Sequence, residues 1–194
     1  MDPPTQLFRP WRVIADNEAD LELIERCRKG DWSAFTELVV RYQRPIYNAA
    51  FWVLRNPEDA NDIAQVVFLR IAERLDEYDP RFKFFSWIYR IAVNESLNLL
   101  RRHGREDALD DDVDVAGPES ADPERQASAA EVTRRIRGAL MKLAPNDRVV
   151  ITLRHFSECS YEEIGQILDL DQKTVKSRLF EARQRLRALL GDLK

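Results

Sequence analysis

The chain has 194 residues, 33% of them charged and 44% hydrophobic, with a formal net charge of −4, enough for one medium domain or two small ones. Its six glycines are scattered singly, and two histidines with two cysteines are too few for a zinc module of ordinary spacing. Glycine-rich phosphate loops, dinucleotide fingerprints, metal sites and a disulfide framework are therefore not expected, and neither is a cofactor.

Residues 1–19 hold Pro3, Pro4 and Pro10 beside Phe8 and Trp11 and read as a mobile arm that docks through Trp11. Asp31 then stands where a helix N-cap belongs, ahead of an apolar-periodic run through Phe35, Leu38, Val39 and Tyr42. Asn56-Pro57 is a second cap, with proline in the first helical position, where its missing N–H is harmless. The following helix sets Ala60, Ile63, Ala64, Val67, Ile71 and Leu75 on one face. Its other face mixes acids with apolar groups (Asp59, Asp62, Gln65, Val66, Leu69, Glu73), which fits a partner surface better than a merely solvated one.

Asp79-Pro80 closes the next turn and leads into FKFFSWIYRIAVNESLNLLRR, residues 82–102. Arg90, Asn94, Asn98 and Arg101/Arg102 recur there at helical steps and make one polar, basic stripe. Amides pair with base edges, guanidiniums with phosphates, and rings with unstacked bases, so the stripe and the aromatics before it have the chemistry for nucleic acid. Those aromatics are Phe82, Phe84, Phe85, Trp87 and Tyr89, and most of them are read as core all the same.

From Gly104 to Glu124 nine acids face one base, a local charge of −8 that leaves +4 for the rest of the chain. The tract has no aromatic residue and contains Gly117, Pro118 and Pro123, so residues 104–128 read as a flexible acidic linker. Fully extended, 25 residues reach ~85 Å at about 3.4 Å each. Beyond it, helical runs recur near 129–143, 146–155, 160–168 and 172–190. Ser160-Tyr-Glu-Glu163 is a capping box, and Asp171 caps the last helix after the tight connection Asp169-Leu170-Asp171.

That spacing fits a helix-turn-helix. Ile164, Leu168 and Leu170 pack beneath, Gly165 permits close approach, and Val175 and Leu179 anchor the second helix. Lys173, Thr174, Lys176, Ser177 and Arg178 then face outward near its start, and residues 172–187 carry +5, as a helix entering a major groove requires. Asp169 stands where many such turns have glycine.

Three segments together resemble the extracytoplasmic-function (ECF) bacterial sigma factors: DANDIAQVVF (59–68), FSWIYRIAVNESLNLLRR (85–102) and SYEEIGQILDLDQKTVKSRLFEAR (160–183). The resemblance implies an all-α protein of two small helical domains joined by the linker. Sigma region 2 spans 20–103 and the helix-turn-helix of region 4 spans 129–194. It implies core RNA polymerase as partner, through its β′ and β subunits, with Asp59, Asp62, Gln65 and Phe68 docking on the β′ clamp helices. Val66 replaces the glutamate usual after that glutamine and removes one charge from the interface.

It further implies promoter DNA as partner. Asn94 and Asn98, flanked by Arg90, Arg101 and Arg102, read the single-stranded −10 element, and the 79–84 loop cradles a flipped base. Lys176, Ser177 and Phe180 face the −35 element, with Arg178 and Arg183 on its backbone. Glu181 stands where some members have arginine, so a −35 preference does not carry over. An anti-sigma factor is the expected regulator. The expected place of action is the cytoplasm, without membrane insertion or covalent catalysis.

Two other readings share parts of this pattern. A stand-alone helix-turn-helix regulator needs no polymerase-facing helix, and a helical interaction protein needs neither Asn94, Asn98 nor Lys176. His155 and Cys159, four residues apart, read as a turn-flanking core pair rather than a metal site.

Overall fold

The computed structural model describes residues 17–103 and 123–191, and all its regular elements there are helical. The acidic tract as far as residue 122, the first 16 residues and the last three lie outside the described residues, and with them the readings of linker and arm.

Helix α1 (Asn17–Arg28) has no counterpart in the periodicity reading, because its inward face carries a carboxylate beside Leu23 and Ile24. That group, Asp20, is buried and held by the Arg41 guanidinium at 2.5 Å and by a short hydrogen bond from the Tyr42 hydroxyl. Burial and this carboxylate together push the Tyr42 phenol far above its ordinary value. Tyr42→Phe removes a donor from a buried anion, a change that costs about 2 kcal/mol. Thermal unfolding of Tyr42→Phe is expected about 5 °C lower than wild type, and an unchanged midpoint contradicts the role given to the pair.

Asp31 accepts from the Ser33 N–H at 3.0 Å and opens α2 (Trp32–Leu54). The Ser33 hydroxyl and the Arg26 guanidinium hold its carboxyl down at about 2. α2 runs well past Tyr42, through Pro45, and ends at Arg55 in the left-handed region, φ 60°. Asn56 caps α3 (Pro57–Arg74) through the N–H groups of Glu58 and Asp59, at 2.8 and 3.1 Å. A single 3₁₀ turn (Leu75–Glu77) and a loop lead to α4 (Phe84–His103).

In the second half, α5 (Pro123–Lys142) begins six residues before position 129, inside the stretch read as linker. A proline is tolerated in a first helical turn, and Glu124, Arg125, Gln126 and Ala127 are good helix formers. α6 (Pro145–His155), α7 (Tyr161–Leu168) and α8 (Gln172–Leu190) follow.

Helices α1–α4 pack as one group and α5–α8 as another, and the groups share a seam where α6 lies on α2 and α7 on α4. The buried apolar side chains of both groups form one continuous cluster. At the seam Trp52 stacks on Phe156, ring centroids 5.7 Å apart. Two arginines cross it in opposite directions: Arg148 donates to the Val53 carbonyl at 2.9 Å, and Arg55 to the Leu143 carbonyl at 3.2 Å.

Candidate nucleic-acid interface

α3 separates its two faces as its spacing predicts. Ala60, Ile63, Ala64, Val67 and Ile71 are buried, while Asp62, Gln65, Leu69 and Glu73 are exposed and Asp59 and Val66 half-exposed. Leu69, 64% exposed, is a large apolar group in water between acids, the composition of a protein-docking face. Phe68 is half-buried and packs against the core.

On α4, Arg90, Asn94, Asn98, Arg101 and Arg102 are all exposed and follow one stripe. Asn98 accepts from the Arg101 guanidinium at 2.8 Å. Arg70 of α3 pairs with Glu95 at 3.1 Å, and these two, with Asn98, Arg101 and Arg102, line an open groove of about 410 Å³. Arg70 is the groove residue that α4 periodicity could not reveal, since it comes from another helix.

The aromatics before the stripe divide by position. Phe84, Phe85 and Tyr89 are buried, Trp87 is half-buried, and Phe82 stands 45% exposed in the loop. The Tyr78 hydroxyl donates to the Phe82 carbonyl at 2.6 Å, and Asp79 accepts from the Arg81 backbone N–H at 3.0 Å, so the loop backbone is held while the Phe82 ring stays free of the core. Burial, helped by Asp20 and Asp79, raises the Tyr78 phenol to about 12, which keeps it a donor throughout the neutral range.

The turn between α7 and α8 is built as a helix-turn-helix. Both halves of the Ser160–Glu163 capping box form, at 2.7 and 3.1 Å. Asp169 closes α7 in the left-handed region, φ 57°, the position glycine often fills. A Cβ on Gly165 would lie 2.6 Å from the Leu170 carbonyl oxygen, so only glycine lets the chain turn this tightly. Ile164, Val175 and Leu179 are buried beneath, with Leu168 and Leu170 half-buried beside them.

Asp171 caps α8 by accepting from the Thr174 N–H at 2.8 Å, and the Thr174 hydroxyl donates to the same carboxylate at 2.6 Å. Thr174 therefore serves the cap, whereas Lys173, Lys176, Ser177, Arg178 and Phe180 project outward. Phe180 is 64% exposed. Arg183 leans on the His155 ring, its Nε 3.2 Å from Nε2, which holds the guanidinium beside the exposed basic face of α8. His155 is thus spoken for by an arginine while Cys159 alone is buried; among the described residues no group of three metal-ligating side chains assembles.

Tyr161 belongs to this face as well. Its ring carries the Arg154 guanidinium at 4.9 Å and the Lys176 ammonium at 5.6 Å, an arrangement that orders both cations. Alternation of apolar and charged positions gives no hint of it, because the three residues lie on three helices.

Comparison with known proteins matches sigma-70 region 2 to residues 38–106 and sigma-70 region 4 to residues 133–186. The ECF RNA polymerase sigma factor SigW of Bacillus subtilis is 36% identical over 181 residues, 88% of this chain and 96% of that protein. Among solved structures, CnrH in complex with the cytosolic domain of CnrY superposes with a TM-score of 0.65 at 28% identity, over 89% of this chain and 97% of CnrH. The sigma factor RpoE of Bartonella quintana, solved with the anti-sigma factor NepR, shares the fold at a TM-score of 0.67 and 23% identity, covering 82% and 98%.

Proposed function

Since the chain belongs to the ECF sigma factors, which direct RNA polymerase to promoters, we propose how its surfaces divide that task. The α3 face of Asp59, Asp62, Gln65 and Phe68 engages the polymerase β′ clamp helices, with Val66 and Leu69 adding apolar contact. The α4 stripe of Arg90, Asn94, Asn98, Arg101 and Arg102 reads −10 bases held out of the stack. The start of α8 enters the −35 major groove through Lys176, Ser177 and Phe180, with Lys173, Arg178 and Arg183 on phosphates. Thr174 supports them through the cap.

The observation that carries this reading is the presence, in one chain and in order, of a region 2 match bearing an exposed amide–guanidinium stripe and a region 4 match bearing an exposed basic helix. The protein's contribution is binding energy. Trapping a flipped base offsets the few kcal/mol that unstacking costs. Nothing in this task requires a cofactor or a covalent step. It is carried out where the polymerase works, in the cytoplasm, and no described helix is long and apolar enough to cross a membrane. CnrH is solved in complex with the cytosolic domain of CnrY, which supports a protein partner here, and an anti-sigma factor is the one the family resemblance implies.

Capture of core polymerase tests the α3 assignment. Asp62→Arg reverses an exposed charge without touching the core, so circular dichroism stays unchanged while retention of core polymerase falls at least about tenfold. Equal retention by wild type and Asp62→Arg removes α3 from the interface.

A further inference from the structure

The groove between α3 and α4 holds one group that phosphate binding does not call for. Arg70, Asn98, Arg101 and Arg102 line it together with Glu95, so three cations share about 410 Å³ with one anion. Contacts to the DNA backbone come from arginines, lysines, neutral side-chain donors and backbone N–H groups. A carboxylate repels a phosphate, but it accepts from the amino group of a base.

The side chains of the groove divide by what they already hold. Arg70 stands 3.1 Å from one oxygen of Glu95, Oε1. Arg101 donates to Asn98 Oδ1 at 2.8 Å, which leaves the NH2 end of the Asn98 amide to face a ligand as a donor. Arg102 is exposed and pairs with none of the described residues. The Glu95 side chain is only 15% exposed, against 42% for Arg70, and its second oxygen accepts from no described residue. A largely covered acceptor left without a donor is costly, and a ligand that supplies one is bound the better for it.

Glu95 and Asn98 lie three residues apart on α4, the spacing that sets side chains next to each other on a helix. Together they present one acceptor beside one donor. Cytosine and adenine carry the complementary edge, an amino group next to a ring nitrogen that accepts: N4 and N3, or N6 and N1. Guanine and thymine carry the reverse, a carbonyl oxygen next to a ring N–H. An amide can turn either end outward and suit both classes. A carboxylate accepts only, so Glu95 fixes the polarity. In an unpaired strand this edge of the base is open to be read.

We infer that Glu95 is a specificity-determining residue of −10 recognition. With Asn98 it selects a base bearing an amino group, cytosine or adenine, at one position of the single strand. Arg102 takes the adjoining phosphate, and Arg70 is a positioning residue that holds the carboxylate. The inference rests on the assignment of the α4 stripe to −10 bases made above.

An ion pair between α3 and α4 would also serve as a mere clasp, so the experiment reads base preference as well as affinity. Single strands of fixed length and random sequence are selected on the holoenzyme of this protein with core polymerase. Strands that core polymerase retains alone are subtracted, and the remainder is sequenced. Wild type is expected to enrich cytosine or adenine over guanine and thymine at least about fivefold at one position. Synthetic strands with each of the four bases there show which amino base is preferred. Glu95→Gln keeps the shape of the side chain but can turn an NH2 group outward. Its preference at that position should fall below about twofold while other positions keep theirs. Arg102→Ala should weaken all strands alike.

A wild-type preference that nowhere separates amino from keto bases overturns the inference, and so does an unchanged preference in Glu95→Gln. A loss in Glu95→Gln that is uniform over the four bases overturns it too, since that is the behaviour of a clasp. If wild type enriches no base at any position, or Asn98→Ala selects the same strands with equal affinity, the assignment of the α4 stripe falls, and this inference with it.

Discussion

Gly165→Ala is expected to disable the proposed −35 reader through the backbone alone. The added methyl meets a carbonyl oxygen at 2.6 Å, and that oxygen belongs to Leu170, in the connection that sets the angle between α7 and α8. A backbone atom cannot swing away as a side-chain tip does, so the turn must spread. Overpacking of this kind costs about 1–3 kcal/mol, which for a chain of this length lowers the thermal midpoint by about 3–10 °C. Binding to a −35 duplex should fall with it, since the recognition helix loses its orientation before it loses its side chains. Gly138→Ala is the control: it lies inside α5 with nothing within 4 Å of its Cβ, so it should stabilise the chain by about 0.5–1 kcal/mol. Equal midpoints for Gly165→Ala and wild type contradict the close approach.

Lys176→Ala carries the second large effect, and it is one of selectivity. Lys176 is exposed on the outward face of α8 and steadied by the Tyr161 ring. A well-placed side chain on a base edge discriminates by about 1–3 kcal/mol, roughly five- to 150-fold in affinity. The variant should therefore lose its preference for the cognate −35 sequence over a scrambled one. Arg183→Ala should behave differently, weakening cognate and scrambled duplexes alike and reducing the slope of log affinity against log salt by about one. Equal losses on both duplexes for Lys176→Ala contradict its base-reading role. A selective loss for Arg183→Ala exchanges the two assignments.

Local chemistry made much of this molecule legible. Asp31, Asn56, Ser160 and Asp171 all cap the helices that follow them, because capping depends on residues within one turn. The buried face of α3 and the packing of Ile164, Val175 and Leu179 follow from spacing for the same reason. The outward stripe of α4 is likewise a matter of periodicity.

What escaped depends on partners distant in sequence. α1 hides its amphipathic pattern behind Asp20, which is tolerated inside only because Arg41 and Tyr42 reach it from α2. The continuation of α2 through Pro45 is decided by tertiary packing of Ile46, Ala49, Ala50 and Val53, which outweighs the missing hydrogen bond. The seam is the largest case. Arg148 and Val53 are 95 residues apart, and neither a buried arginine on a carbonyl nor the Trp52–Phe156 stack leaves a periodic trace. Composition alone favours two separated helical groups, since the −8 of residues 104–124 speaks for separation and nothing local speaks for the seam.

Run-off transcription with purified core polymerase over a promoter library tests the central claim most directly. The claim predicts that adding this protein yields transcripts from a subset of templates sharing two short conserved blocks separated by a spacer of nearly constant length. Transcript levels no higher than with core polymerase alone, or initiation indifferent to both blocks, would contradict it.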